Sequence, residues 1–331
     1  MILERARKAP ELIHVELTSR CLLKCPQCYN DPAPKEINSD LLAEYLKEAA
    51  GMQVKTIALS GGEPLLYPDL DYIIELVGAL GMTSVMATCG AGLSEKRIGE
   101  LKKAGLGQIW ISLNGSTKDI HEKSRDGYIY AIEALNRLKG TDLFYGINWV
   151  ARKDNTDDFP NLVDLAGELK AIAINILRLK PDSKSHAAGA LDGEHLSRLA
   201  AYVRSCKSSG MGIFIEKCFS ILRTGIYGSK GLHTGCPAGR DLMAISADGH
   251  FLPCRHLYHG EKESSIEGYW NNSSVLDRLR GTEENIEYPC RDCTHLPHCR
   301  TCRAACQKLY GSFYAGEKNC PIYEERRDCI V

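Results

Sequence analysis

Fifteen cysteines in a chain of 331 residues are too many for an ordinary enzyme of a reducing compartment. Their placement is uneven. Cys21, Cys25 and Cys28 crowd into TSRCLLKCPQCYN, Cys89, Cys206 and Cys218 are scattered, and nine fall between Cys236 and the C-terminus. Disulfide frameworks are rare where thiols stay reduced, so metal ligation is the leading explanation. A cubane 4Fe–4S cluster has four irons, and three local thiolates leave one of them free for an exchangeable ligand, much as catalytic zinc keeps an open position. Two readings compete: a zinc site that borrows a distant fourth ligand, and cysteines that merely pack.

The rest of the chain must position these thiols. With 44% hydrophobic and 25% charged residues it is globular, and its length suggests two domains. The 41 basic and 42 acidic side chains nearly cancel, which offers no global attraction to nucleic acid or an anionic membrane. No apolar run reaches about 18 residues, and Met1–Pro10 lacks the stretch a secretion signal needs. A cytoplasmic protein is expected.

From residue 12 to about 180, short β-branched runs alternate with amphipathic stretches, the pattern of βα units on a parallel sheet. Six strands are expected: Leu12–Thr18, Thr56–Ser60, Ser84–Thr88, Gln108–Leu113, Phe144–Val150 and Ile172–Leu179. Asn38 and Ser39 cap the first helix, and Pro68 suits the first turn of the second. Six units are too few for a closed eight-unit barrel, so the α/β fold is an open, partial barrel or a doubly wound sheet. Either puts chemistry at the strand C-termini, where the loop bearing Cys21, Cys25 and Cys28 begins. Residues 1–180 are expected to form the barrel, 181–230 a linker and bridging helix, and 231–331 a cysteine-rich domain that needs metal for part of its stability.

The CxxxCxxC of Cys21, Cys25 and Cys28 resembles the defining motif of the radical SAM superfamily, and the resemblance covers residues 12–180. It implies a partial (βα)6 barrel whose free cluster iron chelates S-adenosylmethionine, cleaved on reduction to methionine and a 5′-deoxyadenosyl radical. Ser60-Gly61-Gly62-Glu63-Pro64 resembles the family's GGE motif, which lines the methionine amino group. Glycines bring the backbone close, leaving carbonyl oxygens and the Glu63 carboxylate for an ammonium. By the same resemblance Ser112 and Asn114 face the ribose or methionine, and Arg125 the methionine carboxylate. Asn148 and Arg178 are weaker candidates, with a polar barrel interior as the alternative. The family usually has an aromatic residue just before the third cysteine, whereas this chain has Gln27 there and Tyr29 after it, so no adenine contact is assigned. Thr88-Cys89-Gly90 replaces the Thr-Asn-Gly common in relatives. Cys89 is thus a candidate hydrogen donor or substrate contact, though a small buried hydrophobe is the commoner role for a free cysteine.

The tail resembles a SPASM domain, which holds two auxiliary 4Fe–4S clusters. Cys236, Gly249 and Cys254 fit the first half of its pattern, and AISADGHFLPC reads as a hairpin around Asp248-Gly249. The resemblance assigns Cys290, Cys293, Cys299 and Cys320 to the second cluster and Cys236, Cys254 and Cys302 to the first. The fourth ligand of the first cluster is Cys218, Cys306 or none, and Cys302 and Cys306 can exchange roles. A four-thiolate zinc site from Cys290, Cys293, Cys299 and Cys302 is the rival, although its five-residue spacer is short for a zinc ribbon. Cys206 and Cys329 read as ordinary thiols, and His256, His259, His295 and His298 as solvated polar residues.

A radical SAM oxidoreductase that modifies a ribosomally made peptide is therefore expected, aided by a separate recognition protein and a flavodoxin or ferredoxin donor, with no nucleic-acid or membrane partner. Oxidation or decarboxylation of a small metabolite or tetrapyrrole side chain is the second expectation, and a non-catalytic zinc or iron module the third. Sulfatase maturases carry an aspartate directly after the cysteine matching Cys254. Arg255 stands there in this chain, and a guanidinium cannot accept a proton at pH 7, which argues against a sulfatase substrate.

Overall fold

Strand after strand, the chain lays down β1 (Leu12–Thr18), β2 (Thr56–Gly61), β3 (Thr83–Thr88), β4 (Gln108–Ser112), β5 (Phe144–Ala151) and β6 (Ala173–Arg178), each paired in parallel with the one before it. The computed structural model describes residues 8–30, 33–182, 184–206, 210–227, 235–261 and 263–321, and Cys329 lies outside them. The apolar residues on one side of β1, Ile13, Val15 and Leu17, are buried in the core shared with the flanking helices, while His14 faces the lumen. Asn38 caps the helix Ser39–Gly51, its Oδ1 accepting from the Leu41 amide at 2.9 Å. Pro68 lies just ahead of the helix Leu70–Ala79, whose N-cap is Asp69.

Strand order decides between the two expected architectures. The described sheet runs β7-β6-β5-β4-β3-β2-β1-β8-β9, where β7 is Gly212–Ile215, β8 Leu242–Ile245 and β9 Phe251–Leu252. Each of the first seven strands sits beside its predecessor, so the crossovers all wind one way, as in a partial barrel; a doubly wound sheet would reverse direction at a switch point.

Both ends of this sheet extend beyond the six expected βα strands. At one edge β7 pairs with β6. At the other, β8 from the cysteine-rich region pairs in parallel with β1, Leu12 facing Leu242 and Val15 facing Ile245. β8 and β9 form the expected hairpin, with Gly249 at φ +79° in its turn. One continuous sheet therefore carries the root of the first cysteine loop and the approach to Cys254.

Candidate active site

The loop after β1 carries Cys21, Cys25 and Cys28 and is tied down from several directions. The Lys24 amide donates to Asp126 Oδ2 at 2.9 Å, the Gln27 amide to the Ser124 carbonyl at 3.1 Å, and Asn30 Nδ2 to the Ser19 carbonyl at 2.8 Å. Tyr258, from beyond Cys254, donates its hydroxyl to the Tyr29 carbonyl at 3.1 Å. All three cysteines line one cavity at the strand C-termini. Burial pushes the Cys21 thiol up, and the nearby charges of Glu63, Cys25 and Cys28 add to this. A metal in place of the proton removes that penalty.

The glycines of the Ser60–Pro64 turn have a different immediate task from the one the sequence suggests. A Cβ on Gly61 would stand 2.4 Å from the Thr18 carbonyl oxygen, and one on Gly62 2.2 Å from that of Arg20. Their bare backbone is pressed onto the root of the cysteine loop, and it also lines the cavity. The Glu63 carboxylate, expected to face an ammonium, is turned to protein donors. It is 1% exposed and absent from the cavity lining; its Oε1 accepts from Thr88 Oγ1 at 2.6 Å and from the Leu65 amide, and its Oε2 from the Cys89 amide at 2.9 Å. Glu63 thus fastens the end of β3 to the end of β2.

Ser112, Arg125, Asn148, Arg178 and Cys89 all reach the cavity. Asn114, expected beside them, is not part of the cavity lining. Fully buried, it donates through Nδ2 to Ser124 Oγ at 2.8 Å and accepts at Oδ1 from the Val150 amide at 3.0 Å, joining β4, β5 and the segment before Arg125. The Cys89 thiol is pushed far up by burial and by Glu63, so it keeps its proton.

Charge and unmet hydrogen-bonding capacity mark the cavity as a polar ligand site. Arg125, Arg178, Lys180 and Arg255 line it, a set of cations suited to an anionic cluster and a carboxylate. Gln27 Oε1, Ser60 Oγ, Arg125 Nε and His256 Nδ1, all from cavity-lining residues, are buried with no hydrogen-bond partner. Buried polar groups are normally satisfied, so the residues present fit a cluster with a zwitterionic ligand. Sequence reasoning missed Lys180, Arg255 and the role of Tyr29, which packs against His256 with ring centroids 4.3 Å apart. They come from separate elements, so no local spacing announces them.

Beyond the cavity, Cys218, Cys236, Cys254 and Cys302 pack in one cluster with Leu257, Leu279 and Phe313. A hydrogen bond shared by Cys218 and Cys302 pushes the first thiol up and the second down, with Lys180 and Arg178 also lowering Cys302. Cys306 accepts from Arg303 at 3.3 Å and also feels the charge of Cys302. Cys299 interacts electrostatically with both Cys290 and Cys293. Among the described residues no three His, Cys, Asp or Glu side chains stand close enough together to hold a single metal ion. Of the histidines expected to be solvated, His256 is instead half-buried against Tyr29, and desolvation pushes its pKa far down.

The matched family model, that of the Radical SAM superfamily, spans residues 15–166. The AdoMet-dependent heme synthase of Methanosarcina barkeri is 25% identical over 337 residues, covering 94% of this chain and 96% of the relative. The PqqA peptide cyclase of Ruegeria pomeroyi is 26% identical over 318 residues, covering 87% and 80%. Streptococcus suis SuiB, solved bound to the precursor peptide SuiA, shares the fold at a TM-score of 0.78 and 18% identity, over 95% of this chain and 76% of that one. No helix among the described residues is long and apolar enough to cross a membrane. The span matching the Radical SAM superfamily contains the thiol loop, the Gly61-Gly62-Glu63 turn and Arg125.

Proposed function

We propose that this protein is a Radical SAM oxidoreductase that modifies a peptide by hydrogen abstraction. The observation that carries the reading is the convergence of Cys21, Cys25, Cys28, the Gly61-Gly62 backbone and Arg125 on one cavity at the strand C-termini. The three thiols would hold a 4Fe–4S cluster, which with S-adenosylmethionine and an electron supplies the 5′-deoxyadenosyl radical. The protein does the rest by placement. Arg125 receives the methionine carboxylate on its unpartnered guanidinium, the carbonyls near Gly61 and Gly62 receive the ammonium, and Ser112 and Asn148 meet the ribose. Cys89, protonated in the wall, is placed to return a hydrogen atom or to touch substrate.

Removing a hydrogen atom leaves a substrate radical, and an oxidised product requires one more electron to leave it. Cys218 together with residues 231–331 supplies the route in this proposal. Packing supports Cys218, Cys236, Cys254 and Cys302 as the ligands of one auxiliary cluster, with Cys218 as the fourth member and Cys306 left to Arg303. Cys290, Cys293, Cys299 and Cys320 would hold another. Reduction from outside would come from a flavodoxin or ferredoxin, and a separate recognition protein would deliver the peptide. Thiols kept free for clusters suit the cytoplasm.

A tetrapyrrole side chain is the second reading, favoured by the near end-to-end alignment with the heme synthase. The test incubates anaerobically reconstituted enzyme, reductant and S-adenosylmethionine with peptides encoded beside its gene and, separately, with an iron porphyrin bearing propionates. A loss of two mass units or a new crosslink in a peptide supports the first reading. Loss of carbon dioxide from the porphyrin supports the second. Unchanged masses in both arms, with deoxyadenosine still forming, would reject both substrate classes.

A further inference from the structure

The cations in the active-site wall are not equally committed. Arg178 is paired with Glu317 and donates to Thr301, and Lys180 is paired with Glu216. The side chains of Arg125 and Arg255 have no ion-pair or hydrogen-bond partner among the described residues. Arg125, two residues before the Gly127 that abuts Leu23 of the thiol loop, is allotted above to the methionine carboxylate. Arg255 is left over.

Its position is specific. Arg255 follows Cys254 at the end of the β8–β9 hairpin and lines both the active-site cavity and the barrel lumen beneath it, a chamber of about 650 Å³. Its guanidinium carbon lies 6.0 Å from the centroid of the Tyr29 ring, a cation–π distance that holds the fork without consuming its N–H donors. Two acidic side chains come near. Glu216 already accepts from Lys180 and from the Arg178 amide, and Glu16, with a buried Oε1 that has no partner, is pushed up to about 7 by burial. Both act on Arg255 through space, yet among the described residues neither makes an ion pair or hydrogen bond with it. The half-buried guanidinium thus keeps unpaired N–H donors that an anion from outside can take up, and Ser60 Oγ and His256 Nδ1, buried and unpartnered on residues of the same wall, add hydrogen-bonding capacity beside it.

We propose that Arg255 anchors a substrate carboxylate, so that the side chain offered to the radical centre belongs to a molecule bearing CO2⁻ near the reacting carbon. A planar fork suits a carboxylate held through two N–H donors. Resting on the Radical SAM reading above, this narrows the substrate to one chemistry with two sources, a glutamate-type residue in a peptide or the propionate of a tetrapyrrole.

The test is equilibrium binding without turnover, on reconstituted protein saturated with S-adenosylmethionine so that Arg125 is occupied. One arm titrates an acetylated, amidated glutamate pentapeptide against its glutamine counterpart; the other titrates coproporphyrin III against its tetra-amide. Expected is a preference of about tenfold or more for the carboxylate form in one arm, which identifies the source. That preference should collapse to within about twofold in Arg255→Gln and partly survive in Arg255→Lys. No preference in either arm, or a preference untouched in both variants, overturns the proposal. Deoxyadenosine formation by the wild-type protein is scored separately: its absence refutes the Radical SAM reading, whereas its presence beside indifferent binding refutes only the role of Arg255.

Discussion

Gly62 lies so close to Arg20 that any side chain would collide with the backbone: an added Cβ would stand 2.2 Å from the Arg20 carbonyl oxygen. Around that contact the Gly62 amide donates to the Thr18 carbonyl at 2.6 Å and the Glu63 amide to the Arg20 carbonyl at 2.8 Å. The turn after β2 is therefore the clamp on the thiol loop. Gly62→Ala is predicted to cost about 1–3 kcal/mol through a clash that no rotamer relieves, and to lower iron at the first cluster. Gly51→Ala, where the new Cβ meets nothing within 4 Å, should leave iron content unchanged. Denaturation midpoints and iron analysis of the two variants check this.

Cys218 and Cys306 make opposite predictions. Cys218 packs with Cys236, Cys254 and Cys302, whereas Cys306 sits against Arg303. Cys218→Ser should lose the spectroscopic signature of one auxiliary cluster, about four of about twelve irons, and Cys306→Ser should retain it. Equal losses in the two variants would contradict the assignment.

Acid should loosen the segment that carries Arg125. His121 is 1% exposed; its Nδ1 accepts from the Asn114 amide at 3.1 Å and its Nε2 faces the Asp126 carbonyl at 3.3 Å. Burial holds its pKa down at about 4, against an ordinary value of 6.5. Between those values the unfolded chain binds more protons, so stability falls as pH drops from 6.5 to 4 and is fully present above 6.5. At 1.36 kcal/mol per unit the loss approaches about 3 kcal/mol near pH 4. His121→Gln removes the titration, and the difference between wild-type and variant midpoints across pH 4–8 should show this slope.

Arg178 and Glu317 join β6 to the cysteine-rich region through a buried pair, 9% and 1% exposed at their side chains. Tyr310 also donates to Glu317 at 2.8 Å. Glu317→Gln strands the guanidinium and should cost about 3–5 kcal/mol, while the double change Arg178→Met with Glu317→Leu should recover much of that. A denaturation double-mutant cycle measures the coupling.

Much of this architecture is legible in the residues because its signals are local. β1 to β6 follow from alternating apolar runs, and the thiol loop and Gly61-Gly62 turn from fixed spacings. What spacing cannot show is the partner of a side chain. Glu63 and Asn114 look like ligand contacts along the chain, yet each satisfies backbone amides on a neighbouring strand. β7 is four residues long, too short for a period to declare itself, and the pairing of β8 with β1 spans more than two hundred residues of sequence. Cys218 stands eighteen residues before Cys236, outside any compact motif, so only packing draws it to Cys302.

The most direct measurement is S-adenosylmethionine cleavage by anaerobically reconstituted protein under dithionite, with iron counted in the same samples. Wild-type protein is predicted to form 5′-deoxyadenosine and methionine, and Cys21→Ala, Cys25→Ala and Cys28→Ala each to form none while losing about four irons per chain. Intact S-adenosylmethionine beside fully iron-loaded wild-type protein, or deoxyadenosine from the triple alanine variant, would contradict the central claim.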